Sequence, residues 1–155
     1  MPAEKFDFRN AQGQTLAARL DRPEGPTRAV ALFAHCFTCG KDNKAARRIG
    51  EGLRLHGIAV LRFDFTGLGG SEGEFANTTF SSNVDDLVAA ADHLRTTFMA
   101  PAILIGHSLG GAAVLAAAHR IAEARAVVTI AAPFDPAHVV GLFGERIAEL
   151  RLHLE

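Results

Sequence analysis

The chain has 155 residues, enough for one domain and too few for two. Hydrophobic residues make up 48% and charged residues 21%, a balance that builds a core and excludes a disordered chain. With 16 basic residues against 17 acidic ones and a net charge of −1, nothing steers the chain toward nucleic acid or an anionic membrane.

In chain order, Phe6 to Arg9 and Thr15 to Leu20 read as two short strands joined in a hairpin by Asn10-Ala11-Gln12-Gly13. Pro23 to Thr27 is a loop. Ala29 to Ala34 is a continuous apolar run, the pattern of a strand covered on both faces. Asp42 or Asn43 caps a helix running to His56, with Gly57 as its stop. Ile58 to Phe63 is the next strand, and a Gly-rich loop follows from Thr66 to Gly73. Ser82 or Asn83 caps a helix whose Val84, Leu87, Val88, Ala91 and Leu94 form one apolar stripe. Ala102 to Ile105 is a third buried strand, Leu109 to Ala122 a buried helix and Ala126 to Ala131 a fourth buried strand. A final helix runs from about His138 to Leu152. Buried strands alternating with helices predict an α/β fold, a mostly parallel, doubly wound sheet with an N-terminal hairpin and six strands in all.

The apolar stretches at 108–118 and 126–134 are too short, or too interrupted by Gly, His and Pro, to span a bilayer. Glu4, Lys5, Asp7 and Arg9 interrupt any N-terminal signal, so a cytoplasmic location is expected. Two cysteines do not make a disulfide scaffold, but they stand close together at 36 and 39. Leu154-Glu155 reads either as a vector-derived tail or as a natural end, leaving residues 1–153 as the domain.

The strand at 102–105 runs into Gly106-His107-Ser108-Leu109-Gly110, and a helix follows at once. This is the G-x-S-x-G elbow in the context it requires. A serine hydroxyl is a weak nucleophile and must be held exposed at one point. A sharp turn projects Ser108 from the carboxyl end of the sheet, and Gly106 and Gly110 leave room for it. The helix beginning at 109 aims free N–H groups and its positive dipole end toward that point. The plainer alternative is a Gly-Ser turn that only joins strand and helix.

Three motifs in order, spanning about 30 to 130, resemble the α/β-hydrolase superfamily. Phe33-Ala34-His35-Cys36-Phe37 looks like its His-Gly-Phe loop, with Cys36 in place of the usual Gly. Asp64 to Ser71 resembles its Asp-x-x-Gly-x-Gly-x-Ser loop, and Gly106 to Gly111 matches the elbow. The stretches at 35–42 and 62–73 look closer to bacterial proteins in which such a domain precedes an OsmC-like domain in one polypeptide. The resemblance implies an α/β-hydrolase fold in which Ser108 forms an acyl-enzyme with an ester, thioester or other acyl substrate, with no cofactor. It implies that Phe37 and Leu109 supply the backbone N–H groups of an oxyanion hole, a pair contributing several kcal/mol of transition-state stabilisation.

The superfamily's triad order is Ser, then Asp or Glu, then His. With six strands counted, the chain is expected to stop before the acid and the histidine. Within it, Asp135 and His138 stand in the right order just past the last strand, though three residues apart in one loop is an unusual acid–base pair. The other reading of Asp135-Pro136 is a helix cap. His107 is expected to pack under the elbow and His35 to fix the oxyanion loop. His56, His93 and His119 fall on helices at the surface or in grooves. No histidine pair shows metal-ligand spacing with a third ligand, so no metal is expected.

Two other functions stay open: a non-catalytic scaffold domain that keeps the fold, and a thiol redox role for Cys36 and Cys39, whose spacing is that of a dithiol motif. The strand at 126–131 is β-prone and uncharged. If it is an edge, it is expected to pair with a second copy as a homodimer.

Overall fold

The computed structural model describes residues 3–37 and 39–135. Asn10 closes the first turn, its side-chain oxygen accepting from the amides of Gln12 at 3.0 Å and Gln14 at 2.9 Å. The expected hairpin forms, but each arm splits in two. Its pieces are β1 (Glu4–Lys5), β2 (Phe8–Arg9), β3 (Thr15–Leu16) and β4 (Ala18–Asp21). The split has a visible cause at Ala17. Its amide donates to the Ser71 hydroxyl at 2.9 Å and its carbonyl accepts from the Asp64 amide at 2.9 Å. The backbone there serves the loop after Phe63 instead of the hairpin ladder. Thus β2 and β3 pair as a small antiparallel sheet, and β1 and β4 join the main one.

The main sheet adds β5 (Ala29–Ala34), β6 (Ile58–Phe63), β7 (Ile103–His107) and β8 (Ala126–Ile130), in the order β1-β4-β6-β5-β7-β8. β4 runs antiparallel to β6, and β5, β6, β7 and β8 are parallel to one another. Eight short strands therefore stand among the described residues where the pattern had predicted six.

Alternation along the strands fills both faces of the sheet. On one face Val30, Leu32, Leu61, Phe63 and Leu104 pack with α2 (Phe80–Thr97) and α3 (Leu109–Ala117), which contribute Leu87, Leu94, Ala113 and Val114. On the other, Ala31, Phe33, Val60 and Ile105 meet Ala46, Ile49 and Leu53 of α1 (Lys44–Leu55). Each fully buried leucine or phenylalanine here is worth about 1.5–3 kcal/mol of transfer free energy. This is the doubly wound α/β-hydrolase fold.

Asn43 caps α1, its side chain accepting from the Ala46 amide at 2.9 Å. α2 begins three residues earlier than the pattern predicts. Thr79 is its N-cap and Ser82 its N3 partner, each side chain bonding the other's amide in a capping box. The apolar stripe is buried at Val84, Leu87, Ala91 and Leu94 and half-buried at Val88. α3 stops at Ala117 and tightens into a 3-10 turn at Ala118–Arg120, short of the expected 122.

β8 corrects a further expectation. It lies where predicted, but all five of its residues are exposed, with Val128 at 46%. The reason is its place: β7 covers one edge, and no described strand pairs with the other. The helix expected at 138–152 lies outside the described residues.

The start of α3 presses on the end of β5. A Cβ at Gly110 would sit 2.4 Å from the Ala34 carbonyl oxygen and 2.5 Å from that of His35. Both obstacles are backbone, so neither can rotate away. Gly110→Val is therefore expected to cost a few kcal/mol, typical of overpacking, while Ser108→Ala leaves the melting temperature nearly unchanged. Thermal melts of both variants check this, and equal melting temperatures would refute a tight contact.

Candidate active site

β7 passes into α3 through a single residue, Ser108, with φ 55° and ψ −123°. A non-glycine backbone held in such a sparsely populated region costs about 1–3 kcal/mol and persists only where its surroundings over-determine it. Here they do. The Ser108 amide donates to the Ile130 carbonyl at 2.8 Å, and its carbonyl accepts from Gly111 at 2.8 Å. A Cβ at Gly106 would lie 2.2 Å from the Gly110 carbonyl oxygen, so the strand and the helix's first turn close up as far as glycine allows. The second described non-glycine residue with positive φ, Ala131 at 52°, directly follows the Ile130 acceptor.

Beside this elbow lies the loop leaving β5. His35 is wholly buried, its Nδ1 donating to the Cys36 carbonyl and its Nε2 accepting from the Phe65 amide at 3.4 Å. These bonds specify the neutral imidazole with its proton on Nδ1. Burial accordingly pushes the His35 pKa below its ordinary value. The Cys36 carbonyl and Asp64 oppose that shift, and Lys41 reinforces it. A disulfide joins Cys36 to Cys39, and the Cys39 amide donates to the Cys36 carbonyl at 2.9 Å. Between the cysteines, Phe37 packs its ring edge-on to Phe65 and Phe75, with centroids 5.0 and 5.7 Å away. Neither the Phe37 nor the Leu109 amide donates to an acceptor among the described residues. Leu109 is the first residue of α3, where no intrahelical acceptor exists.

A polar network underlies the loop. Asp64, 2% exposed, accepts from the Lys41 amide at 2.7 Å, the Gly70 amide at 3.0 Å and the Lys41 ammonium at 3.1 Å. The buried Arg62 donates from Nε to Asp21 at 2.7 Å and from Nη1 to the Lys41 carbonyl. On the far side of the 64–71 loop, Asp86 accepts from the Thr66 amide at 2.8 Å and from the Thr66 hydroxyl, which also accepts from Asn10 at 3.0 Å. Burial raises the Asp86 pKa, and the Thr66 bonds partly offset this. Arg62 and Asp86 were not singled out from the sequence. Their signals were a lone charge inside an apolar strand, and an acid at helical spacing beside Asn83, Leu87 and Ala90.

Residues 25–154 match the family described as serine aminopeptidase, S33. The chain belongs to this family. Among its relatives, monoglyceride lipase of Rattus norvegicus is 34% identical over 116 residues, covering 72% of this chain and 37% of that protein. The mitochondrial palmitoyl-protein thioesterase ABHD10 of Rattus norvegicus is 30% identical over 152 residues, covering 92% of this chain and 50% of that protein. The crystal structure of the esterase domain of a Rhodothermus marinus protein shares 52% identity with a TM-score of 0.74, covering 90% of this chain and 54% of that one. The chain thus spans about half, or less, of the length of the relatives it matches.

As a member of this family, the chain brings together Ser108, Leu109 and the Phe37 loop at the carboxyl ends of β5 and β7. His35 holds that loop, as expected. His107 is half-buried, with a ring nitrogen within 4.8 Å of the Cys36 and Cys39 sulfurs. These three are the described side chains close enough to share a metal, but the disulfide removes both thiolates as ligands. His56 and His119 are exposed, and His93 lies in a groove against the rings of Phe6 and Phe8. Asp135 is exposed at the end of the described chain, and His138 lies outside it. No helix among the described residues is long and apolar enough to cross a membrane.

His35 makes the fold acid-sensitive. Its folded pKa lies below the unfolded value, so the unfolded chain binds more protons in the window beneath about 6.5. The stability it contributes is fully present above that value and is lost as pH falls through the folded pKa. Burial shifts His93 the same way. The melting temperature is expected to fall between about pH 7 and about pH 5.5, and His35→Gln to flatten that slope. His93→Gln, measured alongside, isolates the contribution of His93, and an unchanged slope in His35→Gln would refute this reading.

Proposed function

We propose that the protein is a serine hydrolase of ester, thioester or related acyl bonds and that Ser108 is its nucleophile. The observation that carries this is the strained backbone of Ser108 between β7 and α3, beside the Phe37 and Leu109 amides, which have no acceptor among the described residues. Strain of this kind is maintained where a side chain must be presented. The names of the relatives, a lipase, a thioesterase and an esterase domain, support acyl transfer from an oxygen or sulfur leaving group.

In this reading the Ser108 hydroxyl attacks the acyl carbonyl carbon and gives up its proton to a histidine base. The negative charge on the carbonyl oxygen is met by the Phe37 and Leu109 amides, each worth about 2.7–4 kcal/mol to the transition state. Collapse expels the alcohol or thiol, which takes the proton, and water then releases the acid from Ser108 by the reverse steps. We assign the acid and the histidine to sequence following the described residues, on the superfamily's order of Ser, then acid, then His. Asp135 and His138 are the alternative pair. A further proposal, resting on the resemblance of the stretches at 35–42 and 62–73, is an OsmC-like second domain in the full-length protein and a cytoplasmic, bacterial setting for it.

Ser108→Ala is expected to reduce hydrolysis of a p-nitrophenyl ester by the full-length protein to about the uncatalysed rate and to abolish fluorophosphonate labelling. A variant retaining most of the parental kcat would remove Ser108 from this role. A full-length parent that neither hydrolyses the ester nor takes the label would favour the scaffold reading.

For the 155-residue chain taken by itself, the edge of β8 that no described strand pairs supports a homodimer built by antiparallel pairing of 126–131 across a two-fold axis. Light scattering at micromolar concentration is expected to give twice the chain mass, and a clean monomer with slowly exchanging amides at 126–130 would defeat it.

A further inference from the structure

The cysteine pair sits against the elbow and has no part in acyl transfer. We infer that Cys36 and Cys39 form a thiol–disulfide exchange site, with low-molecular-weight thiols as reactants, and that its redox state sets the position of the Phe37 amide. This inference rests on the proposed role of Phe37.

Three observations carry it. The first is the shape of the ring. Two residues separate the cysteines, and the Cα atoms are 5.2 Å apart, within the range a disulfide spans without moving the backbone. So short a loop constrains the unfolded chain little, which argues against a staple for the fold. The second is asymmetry of access. Cys39 is exposed and Cys36 buried, so a thiolate from solution reaches the Cys39 sulfur and Cys36 becomes the leaving group. The His107 ring nitrogen, within 4.8 Å of both sulfurs, is placed to meet the departing thiolate. The third is what the ring encloses. Phe37 lies inside it, its amide joined directly to Cys36, whose carbonyl accepts from the Cys39 amide.

The chemistry balances. A small thiolate attacks Cys39 Sγ, the Cys36–Cys39 bond breaks and a mixed disulfide forms on Cys39 while Cys36 leaves as a thiolate. A second small thiolate attacks the outer sulfur of the mixed disulfide, releasing Cys39. Two small thiols become one small disulfide, and their two protons end on the two cysteines. Oxidation by a small disulfide is the reverse. The oxidised protein holds the amide toward Ser108, and the reduced protein releases it.

The test equilibrates the full-length protein in buffers of varied reduced-to-oxidised glutathione ratio. It counts thiols by maleimide mass shift and follows the Phe37 and Leu109 amides by NMR. Two thiols are expected to appear reversibly without unfolding, the Phe37 amide to shift with them, and kcat for a p-nitrophenyl ester to fall about tenfold or more with KM little changed, since losing one oxyanion donor costs up to ~10²–10³. Cys39→Ser should fix kcat at the reduced value, whatever the glutathione ratio. A disulfide that resists reduction in the folded protein, or a Phe37 amide identical in both states, would overturn the inference. Absence of esterase activity in both states would count against Ser108 instead, because thiol counts and amide shifts still decide the exchange.

Discussion

The contact between the first turn of α3 and the ends of β5 and β7 is the constraint on which the rest of the molecule depends. Gly110 lies against the Ala34 and His35 carbonyls, and Gly106 against Gly110 itself. That closeness leaves Ser108 no ordinary backbone conformation, and the hydrogen bonds to Ile130 and Gly111 hold it at φ 55°. Helix α3 is therefore docked with its first turn against the start of the loop after β5. A looser junction would relax the serine.

Because the loop after β5 carries one half of that arrangement, its support matters as much as the elbow. The support is polar and buried. His35 reaches the backbone at Cys36 and Phe65, Asp64 gathers Lys41 and Gly70, and Arg62 joins β6 to Asp21 of β4 and to the Lys41 carbonyl. Buried charges are tolerated only when paired and hydrogen-bonded, and truncating one partner of such a pair generally costs about 3–5 kcal/mol. The network thus ties the loop to β4 and β6 through Arg62 and Asp64. The Phe37 ring, held edge-on between Phe65 and Phe75, adds an apolar anchor on the same loop.

The sheet's two sides show a different economy. β5, β6 and β7 are enclosed by helices on both faces, so their sequences are continuous apolar runs. β8 has the same composition but an exposed environment, with Val127, Val128 and Ile130 each more than a third accessible. Composition records which strand type a segment suits. Neighbours decide whether it is covered.

Much of this was legible in the sequence because it is local. Strand and helix order, the Asn10 turn, the Asn43 cap and the elbow at 106–110 follow from short-range periodicity and from residues whose backbone preferences act over a few positions. The resemblance to the α/β-hydrolases rested on such local motifs, and the family assignment agrees with it. What the sequence could not decide depended on partners distant in the chain. The hairpin arms split because Ala17 bonds to Asp64 and Ser71, more than forty residues away. Arg62 and Asp86 are buried because Asp21 and Thr66 reach them from other elements. The burial of β8 failed as an expectation because an edge is a property of sheet order. The chain's local chemistry determined that Ser108 stands in a glycine-flanked turn between a strand and a helix. Only the tertiary structure decided how its backbone is strained, which carbonyl its amide meets, and that a disulfide stands beside it, since those are set by contacts across the sheet.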